Sequence, residues 1–193
     1  MKFSKIKLSK AGTLECTYRN EDGDIIQYVG ANIVHKDLRE ALQGLIPHLA
    51  LITEQRGAYK TTLDKLREQR ITDNEDNVYK RLSVSGVAFS ADQKKVIITG
   101  SRILTTAGVV SVCTPLMDLE AEDDYKYTND LSLDVEALTY EAKAYIEEKK
   151  WGVKQSELDF KDINPFDAIK TGEVPEAPAE GKTKKGGRKS KVA

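Results

Sequence analysis

Residues 35–55 read HKDLREALQGLIPHLALITEQ, and this stretch decides the fold. Large aliphatic residues recur in it at spacings of three and four, which places them on one face of an α-helix: Leu38, Leu42, Leu45, Leu49 and Ile52. Asp37 followed by Glu40 predicts a capping box at the start of this helix. Pro47 lacks an N–H group and clashes with the preceding turn, so we expect a kink near Ile46.

Alternation of apolar and polar residues predicts three strands on each side of this helix. The predicted strands span residues 2–8, 13–19 and 25–29 before it, and residues 78–89, 94–104 and 109–113 after it. The Asp-Gly pair within residues 20–24 favours a tight hairpin turn. An amphipathic pattern over residues 131–146 predicts a second helix, and Gly152 is its predicted left-handed cap.

The element order is therefore βββα-βββα, which predicts an α+β fold with two amphipathic helices packed on an antiparallel sheet. Two arrangements remain open. The first five strands and the central helix follow the element order of an OB-like barrel. Alternatively, two units of three strands and a helix share one sheet. We expect a single domain over residues 1–152, a short docking segment over 153–170 and a disordered basic tail over 171–193.

Candidate catalytic and metal-ligating residues form no known pattern. His35 and His48 are the only histidines, and neither lies near a cysteine or serine as nucleophile pairs do. Cys16 and Cys113 lack the spacing of a metal site, which predicts two buried free thiols in a reducing compartment. The carboxylates of residues 118–124 lack the ordered spacing of a calcium loop, which favours a solvated loop over a cation site. The sequence predicts a non-enzymatic cytoplasmic protein without cofactor, metal or membrane association.

Basic and aromatic residues are interspersed in the predicted strands. Such a combination is typical of surfaces that bind single-stranded nucleic acid, because phosphates meet the cations and every base can stack on an aromatic ring. The alternative is that lysines protect exposed strands from edge-to-edge pairing and aromatic rings fill the core. The candidate nucleic-acid-binding residues in this region are Lys5, Lys7, Tyr28, Tyr79, Lys80, Arg81, Phe89, Lys94, Lys95 and Arg102.

The charged residues, which sum to a net charge of −1, are unevenly distributed along the sequence. Residues 181–193 contain six lysines and arginines and no acid, so subtracting these six charges leaves −7 on the first 180 residues. Lys184, Lys185 and Arg188 in this segment are further candidates for loose, salt-sensitive attraction to nucleic acid. A solubilising tail is the alternative interpretation. The first 180 residues are acidic overall and therefore repel DNA unless their cations are segregated on one face.

Residues 158–166 read LDFKDINPF. This stretch resembles the acidic, phenylalanine-ended tip of bacterial single-stranded-DNA-binding proteins, in which Asp-Phe and further acids precede Ile-Pro-Phe. The chain differs from that pattern where Lys161 replaces an acid and Asn164 interrupts the ending. Packing of the two phenylalanines on the domain is the structural alternative. The resemblance implies that replication or recombination proteins dock on Phe160, Asp162, Ile163, Pro165 and Phe166.

A second resemblance lies in the central helix and at the end of the predicted domain. Residues 45–49 (LIPHL) together with residues 149–152 (KKWG) are similar to small proteins encoded by bacteriophages and related mobile elements. We therefore expect an accessory protein that binds single-stranded DNA during phage or mobile-element replication or recombination, in the cytoplasm of a bacterial host cell and with homo-oligomers possible. The competing hypothesis is a non-enzymatic protein-interaction module, such as a virion component or a host-defence inhibitor.

Overall fold

A computed structural model describes residues 1–55, 58, 60–72, 77–121 and 125–152. The strands are β1 (Lys2–Leu8), β2 (Thr13–Arg19), β3 (Ile25–Ile33), β4 (Leu82–Phe89), β5 (Lys95–Leu104), β6 (Gly108–Cys113) and β7 (Met117–Asp118). The helices are α1 (Lys36–Gly44), α2 (Ile46–Ile52), α3 (Leu63–Glu68), which continues into a 3₁₀ turn over Gln69–Ile71, α4 (Val78–Arg81) and α5 (Thr128–Glu147). The predicted α+β class is confirmed.

All strands belong to one antiparallel sheet in the order β3-β2-β1-β4-β5-β6, and β7 pairs with β5 beside β6. Each half of the sheet is a three-stranded meander, and the two meanders meet where β1 pairs with β4. In the described part of the chain, β3 and β6 are the ends of this order, so the sheet is open and does not form the OB-like barrel. The arrangement corresponds to the second expectation, in which two meanders share a sheet.

The described helices cover one face of the sheet, and within the described residues the other face is open. Directly paired residues share a face, and alternate residues along a strand point to opposite faces. On the covered face, Ile6 lies between Cys16 on β2 and Val87 on β4, and Val87 in turn faces Ile98 on β5. All four side chains are buried. The α1 and α2 helices contact β4, whereas α5 contacts β1 and packs along α1.

The central helical stretch has the predicted break. The α1 helix ends at Gly44 and α2 begins at Ile46, with Pro47 in its first turn, where the missing N–H group costs nothing. The predicted capping box is wrong. His35 is the residue that caps α1, because its Nδ1 accepts a hydrogen bond from the main-chain N–H of Asp37 at 3.3 Å. The carboxylate of Asp37 instead contacts Lys150 Nζ at 2.6 Å.

The prediction of a strand over residues 78–89 is wrong at its start, because residues 78–81 form the single helical turn α4. Asn77 causes the difference. Its side-chain oxygen accepts from the N–H of Tyr79 at 2.9 Å, and its amide group donates to the carbonyl of Thr72 at 2.7 Å. These hydrogen bonds fix a helical N-cap at a position where alternation alone predicts an extended chain.

The end of the described chain also departs from the sequence prediction. Lys149, with φ of 57°, occupies the left-handed conformation that was expected at Gly152. Gly152 has a different role, because a Cβ atom there would lie 2.5 Å from the carbonyl oxygen of Val34. Its N–H group donates to the carbonyl of Ile33 at 2.8 Å, so the glycine lets the chain after α5 approach the end of β3.

Candidate nucleic-acid interface

A row of cations lies on the open face of the sheet along β1 and β2. In the register of the β1–β2 ladder, Lys2 lies opposite Arg19, Lys5 opposite Thr17 and Lys7 opposite Glu15. The bulge between Phe3 and Lys5 keeps Lys2 on the same face as the other two lysines. Sequence alternation identified Lys5 and Lys7. It did not select Lys2 and Arg19, since only the pairing register shows that they lie side by side.

Within the part of the chain that the structure describes, three of these four cations have no carboxylate partner. Lys7 approaches Glu15 at 3.6 Å, and both side chains are more than one-third exposed. Lys2, Lys5 and Arg19 are exposed and form no ion pair with the residues that the structure describes. An exposed cation without a carboxylate partner retains its full charge for an anionic ligand.

Next to the basic row, the open face carries mostly small and uncharged side chains. Gly86 and Ala88 of β4 lie beside the lysines of β1. Ile97, Thr99 and Ser101 of β5 share this face because they pair with Ala88, Gly86 and Ser83. At the β3 edge, exposed aliphatic side chains stand next to the cations: Ile25 is 67% exposed and Val29 is 75% exposed. The face therefore combines a basic row with an apolar margin.

The predicted aromatic platforms lie on the opposite, helix-covered face. Tyr28 packs edge-to-face against Tyr145 of α5, with ring centroids 6.2 Å apart. Phe89 packs against the buried core from β4. Arg102 is also on the covered face, where its Nη1 donates to Gln55 Oε1 at 2.6 Å. The structure thus separates these three candidates from Lys5 and Lys7.

Of the other predicted binding residues, Lys95 shares the open face with Ile97 by the alternation of β5, but it approaches Asp118 of β7 at 3.7 Å. Beside it, Lys94 forms an ion pair with Glu120 at 2.7 Å. Tyr79, Lys80 and Arg81 lie on α4, on the helical side of the sheet. Tyr79 lines a cavity of about 310 Å³ with Arg67 and Arg70. The candidates in the segments 158–166 and 184–188 lie outside the described residues.

Acidic residues concentrate on the helical side. The α5 helix contains five carboxylates and one lysine. In the groove between α1 and α5, Glu40, Glu136 and Glu141 lie near one another. The positive row and the negative helices therefore occupy opposite sides of the sheet, so the acidic net charge does not fall on the open face.

A buried polar network connects the helices, and the sequence patterns did not reveal it. His48 is completely buried; its Nδ1 contacts the hydroxyl of Tyr125 at 2.9 Å and its Nε2 contacts Asp134 Oδ2 at 3.1 Å. Arg67 donates to the same oxygen of Asp134 at 3.0 Å and to Asp130 at 2.8 Å. The residues joined by each of these hydrogen bonds are 63 to 86 positions apart in the sequence, so no local spacing pattern could reveal the network.

The electrostatics of this network favour a structural role. Burial acts to raise the pKa of Asp134, but hydrogen bonds from His48 and Arg67 outweigh it and lower the pKa below its usual value. Burial raises the pKa of Tyr125, so its hydroxyl keeps its proton at neutral pH. With both ring nitrogens occupied and no exposed atom, His48 offers no group to a ligand in this conformation.

Two remaining expectations concern thiols and metals. Cys16 is buried as predicted, whereas Cys113 is exposed on the open face at the end of β6, so that prediction is wrong. Among the described residues, no group of three or more histidine, cysteine, aspartate or glutamate side chains is placed to hold a metal ion.

Compared with known protein families, with curated proteins and with solved structures, the chain matches none. Within residues 1–152, apart from the short gaps given above, no helix is long and apolar enough to cross a bilayer.

Proposed function

We propose that the open face of the sheet binds single-stranded DNA. The observation that carries this proposal is the segregation of charge. Lys2, Lys5 and Arg19 lie on one side of the sheet without a carboxylate partner among the described residues, and the carboxylates of α5 lie on the other side. A polyanion is attracted to the first surface and repelled by the second, so binding has one orientation. Release of counterions from the phosphates supplies most of the affinity.

The shape of the face favours a single strand. Exposed Ile25 and Val29 offer apolar contact to bases that a duplex keeps inside its stack. No aromatic side chain of the described strands lies on this face to stack a base, because the strand aromatic residues point to the covered side. We therefore expect affinity that depends strongly on salt and weakly on sequence.

The biological setting of the proposal rests on the two sequence resemblances. A bacteriophage or mobile-element protein of this kind acts in replication or recombination inside the bacterial host cell. Residues 158–166 would recruit a replication or recombination protein, and residues 182–191 would add a salt-sensitive electrostatic contact. Two chains side by side would lengthen the DNA track, and this is the reason to propose a homo-oligomer.

The test is fluorescence anisotropy of an internally labelled single-stranded oligonucleotide, titrated with protein at several salt concentrations. Loss of one phosphate contact to a single strand lowers the slope of log K against log salt by about 0.7. The double variant Lys5→Gln/Lys7→Gln should therefore lower it by up to about 1.4. A matched control, Lys36→Gln/Lys143→Gln, removes the same charge from α1 and α5, where these lysines pair with Glu40 and Glu147.

Four outcomes decide the proposal. Salt-sensitive binding that prefers a single strand over a duplex, and that falls in the open-face variant but not in the control, supports it. Binding that is lost when the chain ends at residue 171 assigns the affinity to the basic tail and overturns the open-face site. Absence of binding at low salt, or an equal loss in both double variants, also overturns it.

A protein-interaction module is the second candidate, and one feature favours it. The groove between α1 and α5 has a volume of about 540 Å³ and an acidic rim. Leu133 and Tyr140 of α5 line it and are 66% and 63% exposed. Exposed apolar side chains within a charged rim are typical of protein docking surfaces. If the open face does not bind DNA, Tyr140→Ala is the first variant to compare in partner-binding assays.

A further inference from the structure

A cleft of about 460 Å³ lies at one end of the basic row. Four structural elements meet there: the start of β1, the end of β2, the start of β3 and the turn between β4 and β5. Among the described residues, its lining contains two cations, two aliphatic side chains, one aromatic ring and no carboxylate: Lys2, Ser4, Tyr18, Arg19, Ile25, Ser90, Ala91 and Gln93. A volume of this size lies in the range of small-molecule sites.

The local backbone creates the concave shape. The bulge in β1 displaces Ser4 from the regular pairing, and the Ser4 hydroxyl donates to the carbonyl of Thr17 at 3.1 Å. On the opposite wall, Gln93 adopts a positive φ of 66°, and its amide donates to the carbonyl of Ser90 at 3.2 Å. These hydrogen bonds hold both walls without using either cation.

The cations of the cleft have no carboxylate partner among the described residues, and two acids near the cleft in the sequence accept hydrogen bonds from other groups. Lys2 and Arg19 face each other across the β1–β2 pair and have no ion pair among the described residues. Asp92, beside the cleft, accepts from the Ser90 hydroxyl and from the main-chain N–H of Lys94. Asp24 is held by Asn20 at the tip of the β2–β3 hairpin. The guanidinium and the ammonium group are therefore available to one anion together.

The position of the cleft indicates which anion it binds. Lys7, Lys5 and Lys2 succeed one another along β1 over about 17 Å, and the cleft lies where this row ends. An internal DNA phosphate carries one negative charge, whereas a phosphate monoester carries up to about two and exposes three oxygen atoms. A lysine and an arginine that face each other match the greater charge and the larger number of acceptors.

We propose that this cleft binds a phosphate monoester and, resting on the proposed function, that it holds the terminal phosphate of a DNA strand lying along β1. The protein would then distinguish phosphorylated strand ends from hydroxyl ends, in addition to holding the internal phosphates of the strand. A free mononucleotide carries the same chemical group and is the other source that the test separates.

The experiment is a competition assay. An internally labelled oligonucleotide is displaced by unlabelled strands of equal sequence that carry a 5′-phosphate, a 3′-phosphate or hydroxyl groups at both ends. The full chain should bind one of the two phosphorylated strands about tenfold more tightly than the hydroxyl-ended strand. This factor is expected from one additional charge-assisted hydrogen bond at the low end of its usual strength. Lys2→Gln/Arg19→Gln should abolish this preference and retain part of the binding. The matched control Lys5→Gln/Lys7→Gln should weaken all competitors equally and keep the preference.

The outcomes separate this proposal from the previous one. Equal competition by all strands against the wild-type chain overturns the cleft but leaves single-strand binding intact. Loss of the preference in both double variants also overturns it. If no strand binds, the proposed function fails, and calorimetric titration with thymidine monophosphate still tests the cleft. Binding of the mononucleotide that depends on Lys2 and Arg19 supports the site and identifies a free nucleotide as the source; no binding overturns it.

Discussion

Replacement of Asp134 by asparagine tests the buried network most directly. One carboxylate oxygen of Asp134 accepts from both His48 and Arg67, at 3.1 and 3.0 Å. Asparagine has almost the same shape but no charge, so its oxygen accepts from His48 and Arg67 without the negative charge that strengthens both hydrogen bonds. The variant therefore weakens the hydrogen bond to His48, which is completely buried, and removes the charge partner of Arg67.

The expected loss follows from these contacts. A hydrogen bond to a charged group contributes about 1.5–3 kcal/mol, and the partial exposure of Asp134 and Arg67 reduces the value for their pair. We expect Asp134→Asn to lower the free energy of unfolding by about 2–3 kcal/mol and Tm by roughly 5–10 °C. Asp130→Asn is the matched control. Asp130 contacts only Arg67 in this network and is 41% exposed, so its loss should be under about 1 kcal/mol.

The effect has a defined pH dependence. Because the pKa of Asp134 is lowered in the folded protein, its stabilising contribution is fully present above the unfolded value of 3.8 and is lost as the pH falls through the folded value. Urea denaturation followed by circular dichroism should show a constant difference between wild type and Asp134→Asn above about pH 5, and a shrinking one below pH 4. Equal destabilisation by the two variants, or a difference unchanged at low pH, would refute the assignment of Asp134 as the ionised centre.

Three further changes have expected results. Cys113 should react with a maleimide in the native protein, whereas Cys16 should react only after unfolding, because burial raises its pKa to about 12; mass spectrometry after limited labelling distinguishes them. Gly86→Ala should destabilise the fold by more than about 2 kcal/mol in urea denaturation, since its Cβ would lie 2.3 Å from a main-chain oxygen of β1, and an unchanged midpoint would contradict this packing. Tyr125→Phe should cost about 1–2 kcal/mol in the same assay, because it leaves the buried Nδ1 of His48 without its partner; full stability would show that the hydroxyl contact is dispensable.

Local sequence signals predicted the regular elements well where their cause was local. Alternation placed all six long strands, because a half-buried strand requires an apolar residue at every second position, although β3 extends beyond its predicted end at residue 29 to Ile33 and β4 begins only at Leu82. Three- and four-residue spacing placed α5 and the central helix, and Pro47 located the break. Alternation alone predicts a strand over residues 78–81, but the hydrogen bonds of Asn77 outweigh this short apolar pattern.

The candidate interface was only partly visible in the sequence. Lys5 and Lys7 follow the alternation of β1, so their common face could be predicted. Tyr28 and Phe89 follow the same rule on their own strands but point to the helices, since the register of pairing decides which of two alternating sets faces the core. Lys2 and Arg19 become neighbours only through the β1–β2 register and its bulge.

The sequence by itself determined the α+β class, the order of strands and helices, the break at Pro47 and the excess of acid outside the last thirteen residues. Each of these depends on neighbours within a few positions or on composition alone. The tertiary structure decided which face of the sheet remains open, which cations stand together on it, and that His48 meets Tyr125 and Asp134 inside the helical layer. These features join residues tens of positions apart, and such contacts form only when burial of the apolar face selects one register and one packing of the helices.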